Sequence, residues 1–377
     1  MEKIKTNKLC YILPEAAENT HMKYNVEFLT ALARERGIDI YLIIERGENG
    51  HIHLHNLKEK IGAKYLKFSG SSFIPMRIIK MLYFLTAARL KGFKKVYVHY
   101  SFVGAFLAGI SKPRKQVYYW NCGIPWQYKR PYLQELYESM TYKLIDHFVT
   151  GAKVLTGQYA NYYKFKESKS IVIPNWIDVT EFRTIFEKVD RESLRKELNI
   201  SSNQKVIFFN QRLAERKGAH YIPQILSSLG KDVICIITND GPYKEKLIQD
   251  LKDKNIFDQV RMLGRVSVTK VVELLSIVDV YILPSEEEGM SHSLMEAMCA
   301  AVPAVSFDVG GTIDMYPDNF QDYVVHQKNI NLFIEKVKIL LTDDAKAKNL
   351  GEALLKKVRE YDKQIVLDDF IQKILND

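Results

Sequence analysis

Two glutamates and a pair of cations stand where they could handle a phosphorylated sugar. In the stretch 281–303, YILPSEEEGMSHSLMEAMCAAVP, Glu288 and Glu296 are eight positions apart. An apolar run ends at Pro284, an acidic turn covers Glu286 to Gly289, and a helix is expected to open near Ser291 or Ser293. Strand, loop and helix N-terminus in about twenty residues is how α/β proteins present backbone N–H groups to a phosphate. Glu288 then sits in the mouth of the loop and Glu296 one to two turns inside the helix, so one carboxylate can face a sugar while the other accepts hydrogen bonds from a ribose. Ser291, His292, Ser293 and Leu294 would line the helix start, with Gly289 and Met290 just before it. Serine there also fits an ordinary N-cap, and both roles can hold, because capping uses only some of the orphan donors.

The run 210–218, NQRLAERKG, follows another apolar strand and precedes a helix. Arg212 offers a planar fork and Lys217 a mobile point charge, which together can neutralise a departing diphosphate. Taken alone, the same residues would make a solvated cationic turn.

Together these segments resemble the retaining glycosyltransferases of family 4, whose pattern P-S-x-x-E-G-x-x-x-x-x-x-E-A-M stands here as Pro284, Ser285, Glu288, Gly289, Glu296, Ala297 and Met298. The segment 210–218 is similar to the family's G-R-L-x-x-x-K-G, with Asn210 or Gln211 where glycine is common. Gly264-Arg265-Val266 matches a loop near the nucleotide base, and Gly310 to Asp314 resembles G-G-x-x-E with aspartate for glutamate. Ile173 to Asp178, with Phe182, resembles the I-P-N-G-I-D-x-x-x-F interdomain joint, with Trp176 for glycine. The resemblance implies a GT-B fold: α/β, two Rossmann-like domains facing across a cleft, with C-terminal helices returning to the first domain. It implies domains at 1–177 and 178–357, and a returning helix at 358–377. It also implies a retaining transferase using a nucleotide-diphosphate sugar. Glu288, Arg212 and Lys217 are its expected catalytic groups; Glu296, Gly289, Met290, Ser291, His292, Ser293, Leu294, Gly264 and Arg265 are its donor site. His292 occupies a usually apolar family position, so packing is expected of it.

The elements that must carry these groups follow from hydrophobic period. In the first half strands are expected at 9–13, 39–44, 95–99, 116–120 and 147–150, with helices at 22–36, 76–91, 102–110 and 132–144. The second half repeats the alternation, with strands at 206–210, 233–238, 260–263, 278–283 and 304–307, and is helical from 344 onward. Such alternation argues for parallel sheets covered on both faces.

At 377 residues the chain exceeds what one core usually serves. It contains no Asp-x-Asp, which disfavours a metal-dependent transferase, and no metal or other cofactor is expected. His51, His53 and His55 alternate as if on one face of a strand, without neighbours that would complete a metal site. Four scattered cysteines, with no CxxC, suit a reducing compartment and hence the cytoplasm. No apolar run is long enough to span a bilayer.

Net charge is uneven. Residues 1–177 carry 27 basic and 13 acidic side chains, a balance of +14, and the remainder carries 27 and 32, a balance of −5. The first half is therefore the half that meets something anionic. Its segment 75–95 holds Arg77, Lys80, Arg89, Lys91, Lys94 and Lys95 and no acid, a cationic amphipathic pattern suited to an anionic membrane surface. No nucleic-acid motif accompanies the charge. The acceptor is accordingly expected to be a glycan, lipid-linked at the inner membrane face. Where the family has a glycine-rich loop after the first strand, this chain keeps His21 without the glycines. His99, Asn121 and Trp126 fall where an acceptor or sugar pocket is expected, with Asn121 in place of the family's histidine.

Overall fold

Runs such as Val233–Thr238 and Val280–Leu283 are apolar without alternation, the mark of strands covered on both faces. In the computed structural model, which describes residues 7–15, 20–46, 51–71, 73–111 and 116–376 (20–22 and 51–53 by backbone alone), all such runs lie in two parallel sheets. The chain divides into two compact units, 1–174 with 364–377, and 175–363.

Among the described residues the first unit has seven strands: β1 (Lys8–Glu15), β2 (Asp39–Arg46), β3 (Tyr65–Phe68), β4 (Lys95–His99), β5 (Val117–Trp120), β6 (His147–Thr150) and β7 (Ser170–Val172). Their order is β3-β2-β1-β4-β5-β6-β7, all parallel. The crossovers carry α1 (Thr20–Thr30), α2 (His51–Ile61), α3 (Ile74–Leu90), α4 (Phe102–Ile110), α5 (Tyr132–Leu144) and α6 (Lys153–Tyr163). Right-handed crossovers put α1 and α2 on one face and α3 to α6 on the other.

The second unit has α7 (Val179–Phe186) and α8 (Arg191–Glu197), then β8 (Lys205–Asn210), α9 (Ile222–Leu229), β9 (Val233–Thr238), α10 (Lys244–Asp253) and β10 (Val260–Gly264). It continues with α11 (Val268–Leu275), β11 (Val280–Leu283), α12 (His292–Cys299), β12 (Ala304–Asp308), β13 (Val324–His326), α13 (Ile330–Thr342) and α14 (Asp344–Val358). Its sheet runs β10-β9-β8-β11-β12-β13, again parallel. Both units are thus Rossmann-like, and in each the strand order reverses beside its first strand, at β1/β4 and at β8/β11. Ligands of such sheets bind outside the strand C-termini at that reversal.

The last helix, α15 (Lys363–Phe370), brings the chain back into the first unit. Phe370 is fully buried there, 5.2 Å from Phe28 and 5.0 Å from Tyr97 between ring centroids. Lys95 Nζ donates to the carbonyl of Ile374 at 2.7 Å.

Two expectations are corrected. The run from His51 is helix α2, because Leu54, Leu57 and Ile61 recur at helical spacing and the last two are buried. His55 therefore meets Glu59 one turn on, at 3.4 Å; the side chains of His51 and His53 lie outside the described residues. Lys95, grouped above with the membrane-facing cations, is only 5% exposed, since the first residue of β4 faces the returning helix. All four cysteines are buried and free, and burial pushes the Cys10 thiol up to about 12.

Candidate functional site

The loops after β8 and β11, at the reversal of the second sheet, carry the candidate chemistry. The three consecutive glutamates in the β11 loop are each fastened to the cationic turn that follows β8. Glu286 accepts from Tyr221 Oη at 2.7 Å, Glu287 pairs with Arg216 at 2.7 Å, and Glu288 Oε1 accepts from Lys217 Nζ at 2.9 Å. Lys217 also donates to the carbonyl of Glu287 at 2.7 Å, and the carbonyl of Arg216 accepts from the N–H of Glu286 at 3.0 Å. Glu288 is 8% exposed. Its charge-assisted bond to Lys217 is therefore shielded from water.

Two glycines let these loops approach. Gly218 has φ +78°, and a Cβ there would lie 1.9 Å from the carbonyl oxygen of Pro284. Gly310, at φ +55° after β12, would put a Cβ 1.7 Å from the carbonyl oxygen of Glu288. Next to it, the N–H of Gly311 donates to Gly289 O at 2.7 Å, so the loop after β12 backs the carboxylate turn. The carbonyl of Met290 accepts from Asn175 Nδ2 at 2.9 Å.

Helix α12 opens immediately afterwards. Ser291 is its N-cap, accepting from the N–H of Leu294 at 3.3 Å, and its hydroxyl lies 3.0 Å from that of Ser293. Gln211 Nε2 donates to Ser293 Oγ. The positive end of the helix thus adjoins the Lys217 turn, a setting that favours a phosphate. Leu294 and Met295 are fully buried and anchor the helix, while His292 and Ser293 are half-buried.

Glu296, on the second turn of α12, is 6% exposed and accepts from Asn210 Nδ2 at 3.0 Å. Asn210 Oδ1 in turn accepts from Thr238 Oγ1 at 2.7 Å and from Asn239 Nδ2 at 2.9 Å. One amide therefore ties the ends of β8 and β9 to the carboxylate of α12. Sequence reasoning places Asn210 only as a substitute for glycine. Its signal was available: a polar residue closing the wholly apolar run VIFF reports a buried hydrogen-bonding duty. Glu287 and the glycine at 310 were likewise missed as supports of Glu288.

Other expected residues are placed differently. Arg212 is exposed, and its side chain makes no hydrogen bond or ion pair among the described residues, so its guanidinium fork is unengaged. Gly264 ends β10 at φ +66° with its carbonyl accepting from the N–H of Asn239, and Arg265 beside it is exposed. Among the described residues no group of three His, Cys, Asp or Glu could hold a metal ion.

In the first unit His99 is buried, 3.3 Å from Tyr11 Oη and stacked on Trp120 at 4.3 Å and 9°. Asn121 Nδ2 donates to the hydroxyls of Tyr119 and Tyr142, each at 3.2 Å, and its Oδ1 accepts from the N–H of Gly123 at 3.0 Å. Its amide thus braces a turn within a tyrosine cluster. Trp126 packs on Tyr159 and Tyr162 at 5.2 and 5.7 Å. The side chain of His21 lies outside the described residues. Of the remaining cations, Arg89 is half-buried and donates to the carbonyl of Ala108 at 3.4 Å, whereas Lys91 and Lys94 are exposed. No helix among the described residues is long and apolar enough to cross a membrane.

Residues 190–357, most of the second unit, match the family model of the glycosyl transferases group 1. The chain is 28% identical over 200 residues to the N-acetyl-alpha-D-glucosaminyl L-malate synthase of Bacillus anthracis, covering 52% of each chain. It is 27% identical over 186 residues to the UDP-Gal:alpha-D-GlcNAc-diphosphoundecaprenol alpha-1,3-galactosyltransferase of Escherichia coli, covering 47% of this chain and 46% of that one. The chain spans about half the length of the curated relatives it matches. Among solved structures, Anabaena HepE in complex with UDP superimposes with a TM-score of 0.81 at 12% identity, over 97% of this chain and 99% of that one. Residues 190–357 are thus similar to the glycosyl transferases group 1, and the chain has the two-domain, parallel-sheet fold seen in Anabaena HepE.

Proposed function

We propose that the protein is a retaining glycosyltransferase that takes a sugar from a nucleotide-diphosphate donor, without a metal, and delivers it to a glycan acceptor carried on a lipid at the cytoplasmic membrane face. The observation that carries this reading is the Lys217–Glu288 pair set beside the capped start of α12, with Glu296 held one turn further in. In this reading Glu296 accepts hydrogen bonds from the ribose. Arg212, Lys217 and the N-terminal N–H groups of α12 take the diphosphate, and Glu288 meets the sugar hydroxyls. Gly264 and Arg265 flank the base. The rate enhancement comes from Lys217, held in advance by the loop after β11, and from Arg212 and the helix start where leaving-group charge develops, which is why no metal is invoked. The resemblance to family 4 supports retention, and the lipid-carried acceptor draws support from the diphosphoundecaprenol named for the Escherichia coli relative and from the +14 first half.

A thermal-shift panel of UDP, GDP, ADP, CMP and dTDP without metal, on the wild type and on Glu296→Ala, tests the donor site. A nucleotide at about a hundred times its dissociation constant stabilises by about 2.7 kcal/mol, a shift of several degrees. The reading expects one nucleotide to shift the wild type and not the variant; no shift by any of them overturns it. The alternative, a non-catalytic sugar-nucleotide-binding partner, is favoured by the engagement of Asn121 in its own turn, and predicts the same shift with no transfer to any acceptor.

A further inference from the structure

Helix α3 is apolar on two opposite faces. Met81, Leu85 and Ala88 point inward and are buried, as a helix covering a sheet requires. On the far side Met76, Ile79, Tyr83 and Leu90 recur at i, i+3, i+7 and i+14, and are 43%, 60%, 68% and 85% exposed. Helix α5 is inverted. Its buried face holds Glu138, Thr141 and Tyr142, whereas Leu133, Leu136 and Met140 stand outward at i, i+3 and i+7, 76%, 44% and 44% exposed. Burial holds the Glu138 carboxyl above its ordinary value, against the pull of Arg130, which also pairs with Glu135. The carboxylates of α5 are thereby engaged by Arg130, and its outward stripe is left to apolar side chains.

Both helices pack against α4 and lie on the same side of the sheet, so their outward stripes belong to one layer. An apolar surface of this extent on a water-facing layer marks an interaction site. The surrounding charge selects the partner. Residues 73–95 contain no acid; Lys80, Lys91 and Lys94 edge the α3 stripe, and Lys129 and Lys143, both exposed, edge α5. A second copy of the chain would bring these cations against themselves. An anionic bilayer pairs with them and accepts the apolar side chains between its headgroups.

We infer that α3 and α5 form a two-helix insertion surface that seats the first unit in an anionic lipid leaflet, with apolar side chains penetrating below the headgroups and the cations held at their level. This deepens the membrane side of the proposed function and rests on it only for the leaflet's identity. It differs from electrostatic attachment through a basic helix, because the anchors are Ile79, Tyr83, Leu90, Leu133, Leu136 and Met140.

Flotation of the full-length protein with vesicles of phosphatidylcholine, alone or with roughly a third phosphatidylglycerol, tests it without donor or acceptor. The wild type is expected on the anionic vesicles. Ile79→Gln/Tyr83→Gln/Leu90→Gln and Leu133→Gln/Leu136→Gln/Met140→Gln should each weaken partitioning at least about tenfold with melting and nucleotide shift unchanged. A Tyr83→Trp variant should be quenched by bromine-labelled acyl chains beyond the wild-type background. Absence of wild-type binding, binding by either triple variant as strong as the wild type's, or no added quenching overturns the inference. So does a lipid-free dimer that the same substitutions dissociate. Each of these outcomes leaves the nucleotide shift intact, so failure here is distinguishable from failure of the donor site.

Discussion

Lys217 Nζ lies 2.9 Å from Glu288 Oε1 and 2.7 Å from the carbonyl oxygen of Glu287. The cation proposed for the leaving group and the carboxylate proposed for the sugar are thus partners across two loops, and each fixes the other's rotamer before a ligand arrives. Lys217→Met should lower kcat by about 10²–10³ and, by leaving a shielded carboxylate without its donor, cost about 1–3 kcal/mol of stability. Turnover and chemical denaturation of the same preparation check both numbers. A variant with full turnover removes Lys217 from the leaving-group role.

Asn210 sends one amide to three partners, so its loss should loosen Glu296 without removing it. Asn210→Ala is expected to weaken nucleotide binding by about tenfold, with a coupling to Glu296→Ala of about 0.5–3 kcal/mol in a double-mutant cycle. Calorimetric titration of the four proteins gives the cycle. Strict additivity would mean that Asn210 does not act through Glu296.

Glycine at 310 is demanded twice, by φ +55° and by the Glu288 carbonyl that would lie 1.7 Å from a Cβ. Gly310→Ala should therefore displace the carboxylate turn and abolish most activity, at a stability cost above about 2 kcal/mol. Gly37 is the control, with φ +68° and nothing within 4 Å of a Cβ. Gly37→Ala should accordingly show only the backbone penalty of about 1–2 kcal/mol, with activity kept. Equal losses in the two variants would show that the close approach does not matter.

Much of this is legible in the residue order, and the exceptions share a cause. Strand ends at Asn210, Thr238 and Leu283 can be read because an apolar run stops where the sheet stops, and loop chemistry begins at the next residue. Helix α2 escapes that reading because the alternating histidines outweigh Leu54, Leu57 and Ile61. Lys95 is misplaced by a charge count, which cannot say which way the first residue of a strand faces. The same limit hides the inverted α5, whose pattern is amphipathic either way round until Arg130 is seen closing on Glu138. Local pattern gives elements; only the packed chain gives the side each one shows.

Burial holds the Glu45 carboxyl above its ordinary value of 4.5, outweighing the opposing effects of the Ser101 hydroxyl, Arg46 and Arg77. A carboxyl so raised binds its proton more tightly in the folded than in the unfolded chain. Its contribution is therefore fully present below the unfolded value and is lost as pH rises through the folded one. Glu45→Gln should melt with the wild type near pH 4 and above it by roughly 2 °C or more at pH 7. Melting curves across that range decide, and a difference independent of pH would mean that the carboxyl is not the titrating group.

The first unit is completed by residues 364–377, so the whole of the second unit, 175–363, is synthesised in between. At about 5–20 residues per second, a ribosome keeps the groove around Phe28 and Tyr97 waiting for Phe370 for roughly 10–40 s. The second unit, continuous in sequence, can fold during that interval; the first can close its core only after translation has passed through the second. The order of birth is thus the reverse of the order of completion, and the nascent first unit is the half of the chain that chaperones would be expected to hold.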